Sequence, residues 1–89
     1  MTEEEIKECI NNEELFTMEP LENIPKSKLI KISKVNDKYY CFDVIALRNF
    51  IFQKQNDKWK NPYTNIEFTK EDIDNILKVD INKIKYFNS

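Results

Sequence analysis

The stretch Leu29-Ile30-Lys31-Ile32-Ser33-Lys34-Val35-Asn36-Asp37-Lys38-Tyr39-Tyr40-Cys41-Phe42-Asp43 decides the fold. From Leu29 to Ser33 the pattern puts Ile30 and Ile32 on one face, the period of a half-buried strand. Val35-Asn36-Asp37-Lys38 is a turn signal, because Asn and Asp tolerate left-handed backbone angles. Tyr39-Tyr40-Cys41-Phe42 is a returning strand rich in β-forming residues. The two strands make a hairpin. Asp43 then serves as the N-cap of a helix. Val44, Leu47 and Ile51 recur at helical spacing, with Ala46 and Phe50 beside them, which predicts that helix over 44–55.

Irregular segments lie on both sides of this hairpin and helix. Residues 13–27 keep no period, and Pro20 and Pro25 exclude a helix there. Their apolar residues (Leu15, Phe16, Met18, Leu21 and Ile24) still demand packing. Further out, Thr2-Glu3-Glu4-Glu5 has the form of a capping box, predicting a short helix over 3–10 that Asn11 and Asn12 end. On the C-terminal side, Gln53 to Lys60 is polar and lysine-rich apart from Trp59. Asn61-Pro62-Tyr63-Thr64-Asn65 is a second irregular loop. Thr69 caps a further helix whose apolar face is Ile73, Ile76 and Leu77. Ile81, Ile84, Tyr86 and Phe87 predict a last short helix or strand. The expected organisation is an N-terminal helical segment (1–12), one domain (13–79) and a C-terminal extension packing on it (80–89).

Composition narrows the chemistry. A chain of 89 residues supports one domain with a small core. Its 12% aromatic content argues against a wholly disordered tail. There is no histidine, which removes imidazole as base, shuttle or ligand. There is no glycine, which removes Gly-rich phosphate loops. Fourteen Lys and Arg face sixteen Asp and Glu, a net charge of −2 that speaks against a dedicated nucleic-acid binder. The two cysteines, Cys9 and Cys41, cannot complete a four-ligand zinc site without histidine. Their number allows one disulfide. The acidic start has no apolar signal segment, so the expectation is an intracellular chain, cytoplasmic or nuclear, with free thiols and Cys41 in the core. No apolar run is long enough to span a membrane. No cofactor or metal is expected. The abundance of Lys, Asn and Ile matches AT-rich codons, as in some protists, large DNA viruses and some bacteria.

The two irregular loops echo each other. Phe16-Thr17-Met18-Glu19-Pro20-Leu21 aligns with Tyr63-Thr64-Asn65-Ile66-Glu67-Phe68 in its aromatic, threonine and closing apolar positions. The order loop, hairpin, helix, loop resembles a U-box, the zinc-free relative of the RING domain. The carrying residues are Phe42-Asp43 entering the helix, Asn61-Pro62-Tyr63-Thr64, and Phe68-Thr69-Lys70-Glu71-Asp72-Ile73. They are similar to the family's Tyr-Asp, Asp-Pro-x-Thr, and Pro-Leu with its closing helix start. Leu15-Phe16-Thr17-Met18-Glu19 looks like the opening Pro-Ile-Thr-x-Glu, and the match covers roughly residues 14–78. A similar order is also familiar from small proteins of large DNA viruses.

The fold class this implies is α+β: a small zinc-free U-box-like domain with a central β-hairpin, one main helix and two packed loops. Where a RING holds its loops with zinc, hydrogen bonds from Thr17, Asn61, Thr64 and Asn65 to loop backbone would serve here. The resemblance implies docking of a ubiquitin-conjugating enzyme in a shallow groove between the loops and the helix. The implied partner-binding residues are Phe16, Met18, Leu47, Pro62, Tyr63 and Glu67, and Phe16→Ala is expected to abolish docking without unfolding the domain.

Departures from the family pattern are Glu67 in place of the second-loop proline and Asn65 in place of a basic residue. A carboxylate in an apolar contact is unfavourable unless paired. A second reading is therefore a non-enzymatic structural or regulatory binding protein, viral in one version, that keeps the scaffold alone. A minor third is a nucleic-acid accessory protein using Lys54, Lys58, Trp59 and Lys60; a solvated helix end explains those residues as well. Glu3, Glu4, Glu5 and Glu8, like Asp72 and Asp74, fit acidic helix starts better than a carboxylate site. No nucleophile–base pair is present, so any ligase activity would act by positioning. The sequence leaves the oligomeric state open.

Overall fold

The computed structural model of the chain describes residues 1–53 and 59–80. Its elements are α1 (Glu3–Ile6), β1 (Leu29–Val35), β2 (Lys38–Asp43), α2 (Val44–Gln53) and α3 (Lys70–Lys78). The architecture is α+β: an antiparallel hairpin with helices packed around it. No helix among the described residues is long and apolar enough to cross a membrane.

Without glycine, other residues must take the left-handed backbone angles. Asn36 (φ 50°) and Asp37 (φ 67°) make the two-residue turn that matches the twist of the flanking strands. Ser33 (φ 58°) sits where the register slips between Ile32 and Val35, the signature of a bulge. The bulge aims the Ser33 N–H at Asp72 Oδ1 (3.2 Å), tying β1 to the start of α3.

Strand alternation separates two apolar clusters on opposite faces of the hairpin. Ile30, Ile32 and Phe42 join Val44, Leu47, Ile51, Phe68 and Ile76 in the main core. Leu29 and Cys41 join Cys9, Leu21 and Ile24 in a smaller one.

The helices start and stop as their ends dictate. Asp43 caps α2 by accepting from Ile45 N–H (2.9 Å) and Ala46 N–H (3.2 Å). Thr69 and Asp72 form a reciprocal capping box on α3. The chain's single arginine, Arg48 on α2, donates to the carbonyls of Ile76 (2.6 Å) and Val79 (2.6 Å), satisfying the end of α3. The expected extension of α2 over 54–55 lies outside the described residues. So do the expected element over 81–87 and, apart from Asp80, the C-terminal extension.

The N-terminal segment departs from expectation. Its capping box, which predicts a helix over 3–10, is present at Thr2 and Glu5. The α-helix nevertheless covers only Glu3–Ile6. Beyond it the β2 edge competes for the backbone. Tyr39 N–H donates to Glu8 O (3.0 Å), and Ile10 N–H donates to Tyr39 O (2.7 Å). Next, Cys41 N–H donates to Asn11 Oδ1 and Asn11 Nδ2 donates to Cys41 O, both at 2.9 Å. An open strand edge is a row of unpaired donors and acceptors, and residues 8–11 cover it.

This pairing brings Cys9 beside Cys41, with a Cα–Cα distance of 5.7 Å, and the two are joined in a disulfide. The expectation of free thiols is thereby corrected. The reason is a non-local parallel contact between Cys9 and Tyr39 that sequence spacing does not announce. The compartment assigned on free thiols loses that support.

Candidate functional site: two matched loops joined by a row of rings

Loop 1 (residues 13–21) and loop 2 (residues 60–68) have the same construction. Each closes with an antiparallel bridge, Glu13 to Pro20 in one and Lys60 to Glu67 in the other. Glu14 N–H donates to Glu19 O, and Asn61 N–H donates to Ile66 O, both at 2.9 Å. Met18 N–H reaches Glu14 O (2.8 Å), as Asn65 N–H reaches Asn61 O (2.7 Å). Met18 and Asn65 both have φ 60°. The threonines agree too: Thr17 Oγ1 accepts from Glu19 N–H (3.4 Å) and Thr64 Oγ1 from Ile66 N–H (3.2 Å). The short sequence echo therefore corresponds to a repeated backbone conformation.

A buried polar side chain organises each loop from within. Glu14 is 1% exposed. Its Oε1 accepts from Phe16 N–H (2.9 Å) and Thr17 N–H (2.8 Å), and its Oε2 accepts from Asp43 N–H (3.3 Å). One carboxylate thus ties loop 1 to the end of β2 and the start of α2. Asn61 holds the matching position in loop 2, where its Oδ1 accepts from Tyr63 N–H (2.8 Å). Charge-assisted bonds are stronger than neutral ones, so loop 1 is the more firmly held. Among the described residues, no three of His, Cys, Asp and Glu are grouped to hold a metal ion.

Asn61 Nδ2 is buried with no hydrogen-bond partner among the described residues. Such an orphan offsets part of what Oδ1 contributes. Asn61→Ala removes one hydrogen bond and the orphan together. It is expected to cost only about 1 kcal/mol in urea unfolding, despite the burial.

Aromatic rings connect the two loops. Tyr40 stacks on Tyr63 at 4.9 Å between centroids, Tyr63 meets Phe42 at 5.6 Å, Phe42 meets Phe16 at 6.2 Å, and Phe16 meets Phe50 at 5.2 Å. The row runs from β2 through loop 2 and the core to loop 1 and α2. The Tyr63 hydroxyl also donates to Glu13 O (3.3 Å), a direct bond between the loops. Burial, followed by the Glu14 charge, pushes the Tyr63 phenol above its ordinary pKa and keeps it a donor.

The residues expected to contact a partner fall into different environments. Met18 is 75% exposed at the tip of loop 1. Tyr63 is partly exposed, Pro62 is half-buried, and both belong to loop 2. Phe16 is half-buried in the ring row, where it packs against the main core. Leu47 is fully buried in the main core and drops out of any docking face, because α2 turns that side chain toward Phe42 and Ile76 rather than toward solvent. Glu67 is exposed and lines a groove of about 420 Å³ with Lys31, Tyr40, Ile66, Asp72 and Asn75.

Glu14 was not among the expected residues. The signal was available: extending the loop echo back by two positions sets Glu14 against Asn61. The other hydrogen-bonding expectations divide. Thr17, Asn61 and Thr64 make the side-chain bonds to loop backbone, whereas Asn65 contributes through its left-handed backbone.

No family model, curated protein or solved structure matches the chain.

Proposed function

We propose that this chain is a protein–protein interaction module of U-box type that docks a ubiquitin-conjugating enzyme across its two loops. The observation that carries the reading is the matched pair of loops, each organised by a buried side chain and joined by rings across the hairpin and α2. Such a scaffold presents two rigid loop tips without metal. The docking face in this reading combines Met18 and the outer part of Phe16 with Pro62 and Tyr63. Rigid aromatic and flexible apolar groups at half-exposed positions are the usual anchors of such contacts. The chain would act by positioning a charged conjugating enzyme, with no catalytic residue of its own. Asn65 lacks the positive charge that ligases of the family place after the loop threonine, so docking is expected to exceed the stimulation of ubiquitin discharge.

The test is an NMR titration of the labelled chain with a panel of ubiquitin-conjugating enzymes. Shifts confined to residues 15–19 and 62–66, together with Phe50, are the expected result. Met18→Asn is the diagnostic variant, because Asn tolerates the left-handed angle while removing the apolar group. It should weaken binding by about tenfold, on the order expected for an interface anchor, with an unchanged urea midpoint. Absence of shifts with every enzyme in the panel would reject ligase-type docking and favour the reading of a scaffold that binds another protein.

A further inference from the structure

We infer that the Cys9–Cys41 disulfide is a redox latch: it holds residues 1–10 over the β2 edge, and its reduction frees that segment while the hairpin, α2 and α3 stay folded. The latch does not depend on what the loops bind.

The division into two apolar clusters carries it. Every buried residue of the main core lies between Ile30 and Ile76, and none of the first ten residues packs against it. Those ten residues contribute to the smaller cluster instead, and Cys9 is the only buried residue among them. Helix α1 has four residues and no buried side chain, too short to persist alone. Of the segment's ion pairs, Glu3 with Lys26 is mostly solvated, while those of Glu5 and Glu8 with Lys31 are partly covered, and each contributes only modestly. The Met1 amino group donates to Lys26 O (3.1 Å), and two backbone bonds join the segment to Tyr39. Against these few ties stands the entropy of ordering ten residues, about 1–2 kcal/mol each. The covalent link tips that balance.

The chemistry is thiol–disulfide exchange with a dithiol reductant. Cys41 is fully buried and Cys9 is 8% exposed, so Cys9 is the less enclosed partner and the attack is written at its Sγ. A thiolate of the reductant bonds to Cys9 Sγ as the Cys9–Cys41 bond breaks, and the electron pair leaves on Cys41 Sγ, which takes a proton. The second thiolate of the reductant then closes on the first. Cys9 is released and protonated, and the reductant departs as its cyclic disulfide with two electrons transferred. Loss of the segment uncovers the N–H and C=O of Tyr39 on the β2 edge.

Amide hydrogen exchange on the full chain tests this, comparing the oxidised protein, the protein reduced with dithiothreitol, and Cys9→Ser. The expected result is a fall in protection at Ile10 and Tyr39 at least about tenfold larger than the fall at Phe42, Leu47 and Ile51, the same in the reduced protein and the variant. Core chemical shifts from Val44 to Ile51 should stay in place. Equal loss of protection everywhere would overturn the inference, making the bond a global staple. Unchanged protection at Ile10 and Tyr39 would overturn it as well, as would two titratable thiols in protein purified without reductant.

Discussion

Glu14→Ala should cost about 3–5 kcal/mol of unfolding free energy, as much as truncating a buried apolar residue. The substitution removes the acceptor for three backbone donors at once: Phe16, Thr17 and Asp43. Each buried donor left unsatisfied costs on the order of 1–3 kcal/mol, less where water can enter. For a domain of this size the corresponding fall in Tm is roughly 15–30 °C. Glu14→Gln separates the roles of its two oxygens. The amide keeps one oxygen for Phe16 and Thr17 but turns an NH2 toward the Asp43 N–H. A smaller loss of about 1–2 kcal/mol is expected. Urea melts of both variants, read by Trp59 fluorescence and circular dichroism, check the order. A Glu14→Ala loss no larger than that of Asn61→Ala would show that the carboxylate does not organise loop 1.

Asp43→Ala is expected to cost about 3 kcal/mol, by a different combination of effects. Asp43 is 2% exposed. Its Oδ1 caps α2, and a lost cap costs about 1 kcal/mol. Its Oδ2 lies 3.0 Å from Lys28 Nζ, and that lysine side chain is only 15% exposed. Removing the carboxylate takes the counter-charge from a mostly buried ammonium, and breaking such pairs is costly. Asp43→Asn retains a capping oxygen and should lose about half as much. Adding Lys28→Met to Asp43→Asn should restore part of the loss, because the mostly buried lysine that faced the carboxylate is replaced by an apolar side chain. A double-mutant cycle by denaturant unfolding gives the coupling directly, and a coupling of zero would assign the whole cost to the cap.

The hairpin, α2, the start of α3 and the likeness between the two loops were legible because each is written in neighbouring residues. Alternation at Ile30 and Ile32, the Asn36-Asp37 turn, and the Asp43 and Thr69 caps act over a few positions. Local backbone chemistry alone accounts for them. The burial of Glu14 was harder to read, for the opposite reason: the loop echo sets it against Asn61, but the echo does not say that either side chain turns inward. A glutamate beside Glu13, in a stretch with Pro20 and no period, looks solvated. Its burial comes from the fold of loop 1 against Asp43, a residue far along the chain. Phe16 and Leu47 are similar cases. Their apolar character was plain, but whether an apolar side chain meets solvent or core depends on what packs across from it.

The sequence by itself determined the α+β class, the hairpin register at its turn, the helix starts and the pairing of loop 1 with loop 2 as variants of one pattern. Only the tertiary structure decided that Cys9 bonds to Cys41, that Asn11 and Glu14 finish the β2 edge, and that Leu47 is core. Those outcomes depend on a strand edge whose donors and acceptors must be satisfied by something distant in sequence. Periodicity shows which face of a strand is apolar. Which segment comes to lie along its edge is settled by packing of the whole chain.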